Sequence, residues 1–182
     1  MTNAVVQEVP RTPRVVYVDH DPVAVTHSCE LLAGRPRTAV LAADFLDPAR
    51  ILAEAAAVGG LDLDRPFAVL ALLVLHFVPD ERRPAEVMAH YMQATAPGSH
   101  LVISHSRSDG VAEAVAGQKL YAGERSLDPM YPRSNAEVTA LFAGLPLVPP
   151  GLVAVPAWRP DPAESIDVPD DHPVLAGVAR RS

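Results

Sequence analysis

Two carboxylates and two imidazoles in this chain follow directly on apolar runs, which is where a side chain can do chemistry. Val15-Val16-Tyr17-Val18 leads into Asp19-His20-Asp21-Pro22, and a second run over 38–42 leads into Asp44-Phe45, with Asp47-Pro48 just beyond. In a parallel α/β sheet the carboxyl ends of the strands border the crevice where ligands bind, so a carboxylate there can accept from both hydroxyls of a ribose. Asp19 is thus the leading candidate for a nucleoside contact, with capping of the next helix as the plain alternative. Asp21, directly before Pro22, is read as that cap. Asp44, in a comparable place, can accept from an exocyclic amine, and Phe45 can lie against a purine face. A lone Phe under a helix is nevertheless more often core, and that reading is favoured for Phe45. His76 leaves the sheet after the apolar run 67–75, either at the ligand edge or as a ring satisfied by nearby backbone. His105 sits in Ser104-His105-Ser106 after Leu101-Val102-Ile103, a polar cluster that faces a substrate or forms a solvated loop.

The elements that must position these groups alternate. A strand over 14–18 feeds a helix opened by Asp21-Pro22 and ended by Gly34, with Val23, Leu31 and Leu32 among its apolar positions. A strand over 38–42 feeds a helix opened by Asp47-Pro48 that runs to Gly59-Gly60. Two strand-carboxylate-helix units in succession predict a parallel sheet with crossover helices. The run 67–75 is the most hydrophobic of the chain, which predicts a central strand covered on both faces. A helix over 84–96 carries Val87, Met88, Tyr91 and Met92 as a stripe packed on a sheet. Further helices are expected over 3–9 and 109–121, and the patternless segment 123–133 has the content of a loop that covers a pocket. Ser134-Asn135-Ala136-Glu137 is a capping box whose helix Gly144 closes. A proline-interrupted strand over 147–155, a proline- and acid-rich excursion from Trp158 through Asp171, and a last strand over 174–179 suggest a closing hairpin in a mixed sheet.

Composition bounds the partners. The 182 residues suit one domain with a real core, and an apolar fraction of 49% with 20% charged residues is that of a folded protein. No apolar run reaches the roughly 18 residues of a membrane span, and no signal sequence directs export, so a cytoplasmic location is expected. A net charge of −7 argues against a nucleic-acid backbone as partner and favours a small molecule. The single cysteine, Cys29, has no partner for a disulfide or a metal site and is expected to be a small buried side chain.

Taken in order, Val15-Val16-Tyr17-Val18-Asp19-His20-Asp21-Pro22, Ala43-Asp44, Asp47-Pro48, Asp64-Arg65-Pro66, Val74-Leu75-His76-Phe77-Val78-Pro79-Asp80, Ala96-Pro97-Gly98-Ser99 and Leu101-Val102-Ile103-Ser104-His105 form a specific set. With Pro132-Arg133-Ser134, Gly151-Leu152-Val153 and Trp158-Arg159-Pro160, they resemble a family of S-adenosylmethionine-dependent methyltransferases common in actinobacteria, over nearly the whole chain. The resemblance implies an α/β, Rossmann-like three-layer sandwich: a seven-stranded, mostly parallel sheet ending in an antiparallel C-terminal hairpin, as a single domain over 1–182. It implies S-adenosylmethionine as cofactor, with Asp19 on the ribose, His20 beside the adenine and Asp44 with Phe45 at its other edge. Val74, Leu75 and His76 would line the methionine end.

The chain departs from that family in one respect. Its members carry, ahead of the strand at 14–18, a first strand with an acidic, glycine-rich turn, whereas no glycine precedes Gly34 here. In this fold the first strand lies between the strands at 14–18 and 67–75, so the expectation is a truncated methyltransferase domain with that strand missing. The expected reaction is transfer of a sulfonium methyl to a small-molecule acceptor, with binding and orientation supplying much of the rate. Where the acceptor carries a proton, His105 and His76 are the candidate bases. A non-enzymatic module that keeps part of the fold and binds a partner is the rival reading, favoured by the missing turn. A dinucleotide-binding dehydrogenase is opposed by the lack of any G-x-G-x-x-G pattern. The methyl acceptor and a homo-oligomeric state stay open.

Overall fold

The computed structural model describes residues 13–110, 129–161 and 167–182. The helix expected over 3–9 lies outside them, as do all but the first two residues of the one expected over 109–121 and residues 123–128 of the patternless segment. The chain forms two compact units, one up to Asp64 and one from Arg65 onwards.

In the first unit, β1 (Val15–Asp19) and β2 (Thr38–Ala42) pair in parallel with Val15 opposite Thr38 and Asp19 opposite Ala42. Between them runs α1 (Pro22–Leu31), and after β2 comes α2 (Pro48–Ala57). Both helices begin on the Asp-Pro signal. The Asp21 carboxylate accepts from Val23 N at 2.8 Å and the Asp47 carboxylate from Arg50 N at 3.2 Å, each satisfying one orphan amide of a first turn whose proline has no N–H to lose. The two helices then differ. α2 buries Ile51, Leu52 and Ala55, whereas α1 buries no residue, and its Val23 and Leu31 face solvent. Cys29 is therefore exposed and not the buried side chain expected of it, because its helix has no buried face to put it on. At Gly59, after α2, a Cβ would stand 2.5 Å from Val16 Cγ2 and 2.7 Å from Ala55 O, so only glycine lets the chain pass so close to β1.

In the second unit, β3 (Ala68–Leu72), β4 (His100–Ser106), β5 (Val153–Ala154) and β6 (Val174–Arg180) form a sheet in the order β3-β4-β6-β5. β3 and β4 are parallel, with Leu72 opposite Ser104, while β6 runs antiparallel to both β4 and β5. The mixed sheet and its closing hairpin are as expected. The central strand is not. β4, flanked on both sides, has Leu101 and Ile103 fully buried, whereas β3 is the edge of its sheet and leaves Leu70 and Leu72 46% and 44% exposed. The run 67–75 is also not one strand: β3 ends at Leu72, Leu73 takes a positive φ of 53°, and Leu75–Phe77 coil into a 3-10 turn. Among the described residues there are six strands in two sheets, where the resemblance implies one seven-stranded sheet.

Two helices complete this unit. α3 (Pro84–Gln93) buries Met88, Tyr91 and Met92, with Val87 half-buried beside them. α4 (Asn135–Ala140) starts on the predicted box: Ser134 Oγ accepts from Glu137 N at 3.3 Å while the Glu137 carboxylate accepts from Ser134 N at 2.7 Å. Val138, Leu141 and Phe142 follow into the core, and Gly144 closes the segment at φ 76°. Gly177 on β6 admits the Phe142 ring, since a Cβ there would lie 2.9 Å from Phe142 Cζ. No helix among the described residues is long and apolar enough to cross a membrane.

Candidate functional site

The sequence-predicted groups fall at two strand exits, one in each unit. At the first, β1 and β2 run in parallel and register, so Asp19 and Asp44 stand at the same end of their sheet, tied by Ala43 N donating to Asp19 O at 3.0 Å. Asp19 Oδ1 accepts from Asp21 N at 3.0 Å, and the side chain remains 47% exposed. One oxygen is thus anchored by the local turn while the carboxylate faces outward. The His20 ring, exposed as well, places Nδ1 4.0 Å from Asp19 Oδ1. Asp44 repeats the device, its Oδ1 accepting from Leu46 N at 2.9 Å, and Phe45 next to it is half-buried. Asp21 acts as the helix cap, which leaves Asp19 as the carboxylate not used in capping.

The second exit is built differently. Val74 is half-buried, Leu75 fully buried and His76 4% exposed, all in or beside the 3-10 turn after β3. The His76 ring lies edge-on to Phe77, with centroids 4.4 Å apart, and edge-on to His105 at 5.7 Å and 88°. Its Nδ1 is buried with no hydrogen-bond partner among the described residues. A backbone-satisfied ring was one of the two expectations for His76; at Nδ1 the backbone does not satisfy it. Burial, with His105 and Arg133 nearby, lowers the His76 pKa to about 4.

His105 is fully buried within β4 and its neighbours Ser104 and Ser106 are buried, so neither a solvated loop nor an open polar cluster forms there. Leu73 N donates to both Ser104 O and Ser104 Oγ at 3.1 Å, which consumes the first serine in fastening the end of β3 to β4. His105 spends both ring nitrogens. Nδ1 lies 2.7 Å from Ser106 O and Nε2 lies 2.9 Å from Arg133 Nη1. A guanidinium can only donate, so Nε2 is the acceptor and Nδ1 carries the proton. Burial lowers this histidine's pKa, the Arg133 cation adds to the effect, and the Ser106 carbonyl opposes it.

Arg133 is the residue that sequence reasoning missed. It is 4% exposed, and each of its five N–H groups has an acceptor. Nη1 donates to Leu75 O at 2.9 Å and to His105 Nε2; Nη2 donates to Val78 O at 2.7 Å and to Asp80 Oδ1 at 2.6 Å; Nε donates to Asp80 Oδ1 at 3.2 Å. Its backbone is held too, by Arg133 N to Ser106 O at 3.2 Å and Ser108 N to Arg133 O at 2.9 Å, while Tyr131 N donates to His76 O at 2.7 Å. Leu75, His76, Val78, Asp80, His105 and Arg133 therefore form one cage around the β3 and β4 exits. Pro132-Arg133-Ser134 was visible as a motif, yet nothing in its spacing links residue 133 to residues 75–80. Chemically, the first exit offers outward carboxylates and a half-buried aromatic, and the second a dry, neutral imidazole with one ring nitrogen to give.

A family model described as S-adenosyl methyltransferase matches residues 2–182. Among solved structures, the chain is similar to a candidate methyltransferase from Thermobifida fusca YX, with 34% identity and a TM-score of 0.86 over 100% of this chain and 68% of that one. It is similar also to a DUF574 family protein from Streptomyces avermitilis MA-4680, with 36% identity and a TM-score of 0.85 over 99% and 70% of the two chains. The N-methyltransferase NodS from Bradyrhizobium japonicum WM9, in complex with S-adenosyl-L-homocysteine, shares the fold at 16% identity, with a TM-score of 0.56 over 92% and 66%. No curated protein matches the chain.

Proposed function

The chain belongs to the S-adenosyl methyltransferase family, and from that premise we propose which of its residues hold the cofactor and receive the methyl acceptor. It is an S-adenosylmethionine-dependent methyltransferase. In this reading residues 1–182 act as one methyltransferase-like domain. Asp19 takes the ribose hydroxyls, His20 lies beside the adenine, and Asp44 with Phe45 holds its other edge. Val74, Leu75 and His76 line the methionine end, and the acceptor is a small molecule; the net charge of −7 disfavours a nucleic acid.

The residues present fit the cofactor on two counts. A half-exposed carboxylate at a strand end, with one oxygen already anchored by Asp21 N, can accept from a diol without reorganising. The unpartnered, buried Nδ1 of His76 is a polar atom that lacks only a ligand to bond it. When bound, the cofactor supplies an activated methyl on a sulfonium. The chain's own part is to orient and to exclude water.

Of the two histidines expected as bases, His76 has a ring nitrogen to offer, and His105 has none. With a pKa near 4 the His76 ring is neutral at pH 7, and in its Nε2–H tautomer Nδ1 accepts a hydrogen bond from a protonated nucleophile and can take its proton. His105 packs edge-on against it.

The observation that carries the cofactor reading is the outward Asp19 carboxylate at the end of β1. Isothermal titration of the 182-residue chain with S-adenosylmethionine and S-adenosylhomocysteine tests it. Asp19→Ala is expected to weaken both by about tenfold or more, the size of a hydrogen bond to a charged group. Equal affinity in the variant would overturn the assignment.

A further inference from the structure

We propose that Arg133 is a positioning residue of this methyltransferase: its guanidinium sets the shape of the loop 75–80 and the proton position on His105, and thereby presents His76 to the site. The inference rests on the reading that residues 74–76 line the methionine end. It goes beyond that reading by naming what holds them there.

A chain leaving an edge strand through a 3-10 turn leaves carbonyl lone pairs that water would normally satisfy; here Leu75 O, which accepts from Val78 N at 3.1 Å within the turn, and Val78 O both accept from the guanidinium. They are three residues apart, so a planar fork that donates to both sets the distance across the turn. Lysine, with three donors on one atom, does not reproduce that fork geometry. The same Nη1 that reaches Leu75 O reaches His105 Nε2, which couples the turn after β3 to the neighbouring strand β4.

The second consequence is a proton position. Because Arg133 only donates, His105 is held as the Nδ1–H tautomer facing Ser106 O, and a second proton on Nε2 would meet an N–H head-on. The ionisable groups around this pair are Arg133, Asp80 and His76, with Glu137 further along the same field. The Arg133 charge is balanced by a side chain that is itself 79% exposed, Asp80, so the cage stays dry around the rings while its counter-ion remains in water. His76 thus packs edge-on against a neutral ring, with Tyr131 N holding its backbone oxygen. A merely structural arginine would also lower stability when removed. It would leave the balance between the two ends of the ligand untouched.

Two ligands separate the ends: S-adenosylhomocysteine carries the amino-acid portion, and 5′-methylthioadenosine does not. In Arg133→Lys, the homocysteine-bearing ligand is expected to bind about tenfold more weakly, a loss the size of a hydrogen bond to a charged group, while methylthioadenosine binds within about twofold of wild type. Nitrogen-15 spectra of the imidazoles should show His105 losing its pure Nδ1–H signature. Asp80→Asn alters only an exposed partner and so keeps the fold; it should reduce the ratio of the two affinities by about threefold with His105 still protonated on Nδ1. Unchanged ratios and unchanged His105 signals in both folded variants would overturn the inference. Failure of the wild-type chain to bind either ligand would instead overturn the cofactor reading, and this inference with it.

Discussion

The two strand exits solve the same placement problem with opposite physics. At the β1 and β2 exit, Asp19 and Asp44 each hold one backbone amide two residues on, and both side chains are exposed. At the β3 and β4 exit, His76, His105 and Arg133 are buried and bonded across 58 residues of sequence, as Arg133 to Leu75 shows. Groups that face water can be tuned for a ligand with little effect on folding, because the unfolded chain solvates them equally well. Groups in a dry cage are part of the folding energy, so that site cannot be altered without altering stability. Mutations should therefore separate binding from stability at the first exit and couple them at the second.

Breaking the cage is the severest test of that difference. Arg133→Met would leave Val78 O and His105 Nε2 buried without the donors they have now, and Leu75 O with only Val78 N, and the cost expected for removing one partner of a buried charged network is about 3–5 kcal/mol. Urea unfolding of the variant measures it. A cost below about 1 kcal/mol would mean that water replaces the arginine freely, and the contrast between the exits would collapse.

Acid probes the same contrast with no mutation. His76 has a folded pKa of about 4 against an ordinary 6.5, so between those values the unfolded chain binds the proton and the folded chain does not. Its contribution is fully present above about pH 6.5 and is lost progressively as pH falls towards 4, by about 3 kcal/mol for a shift of this size. His105, lowered in the same direction, steepens the loss. Unfolding midpoints at pH 7 and pH 4.5 should thus differ more in wild type than in His76→Phe. Parallel pH dependences would show that the ring is wetter than its burial indicates.

What could be read from the sequence follows the same division. Asp21, Asp47 and Ser134 cap their helices as predicted, because a cap is decided by residues within three positions of one another. The outward place of Asp19 was legible for the same reason. The second exit was not, since its geometry depends on contacts far apart in the chain. A long apolar run signals strand but not which neighbours the strand has, so the run 67–75 reads as central, whereas among the described residues β3 is an edge of its sheet and β4 lies inside it. Leu73 with its left-handed φ is no glycine and gave no sign of the bend that ends β3. Arg133 was one arginine among many until the fold set it against Val78 and Asp80. Cys29 is exposed where the pattern predicts burial, because α1 is a helix with good caps and no buried face, a combination that pattern alone does not reveal.

The finest test lies within three residues of one strand end. Asp19 and Asp21 are both carboxylates, both exposed, and linked by one hydrogen bond from Asp21 N to Asp19 Oδ1. Only Asp21 caps, by accepting from Val23 N at 2.8 Å. Asp21→Ala should therefore cost about 1 kcal/mol of stability, the ordinary loss of a cap, and leave S-adenosylhomocysteine affinity within about twofold. Asp19→Ala should do the reverse, shifting stability by less than about 0.5 kcal/mol, as surface substitutions do, while affinity falls. Denaturation and titration on the two variants give four values. The pattern holds only if the large effects sit on opposite members of the pair, one in stability and one in binding. Equal losses of affinity in both variants would mean that the helix start, and not the Asp19 carboxylate, shapes the nucleoside end, and the division of labour drawn between these two side chains would fall.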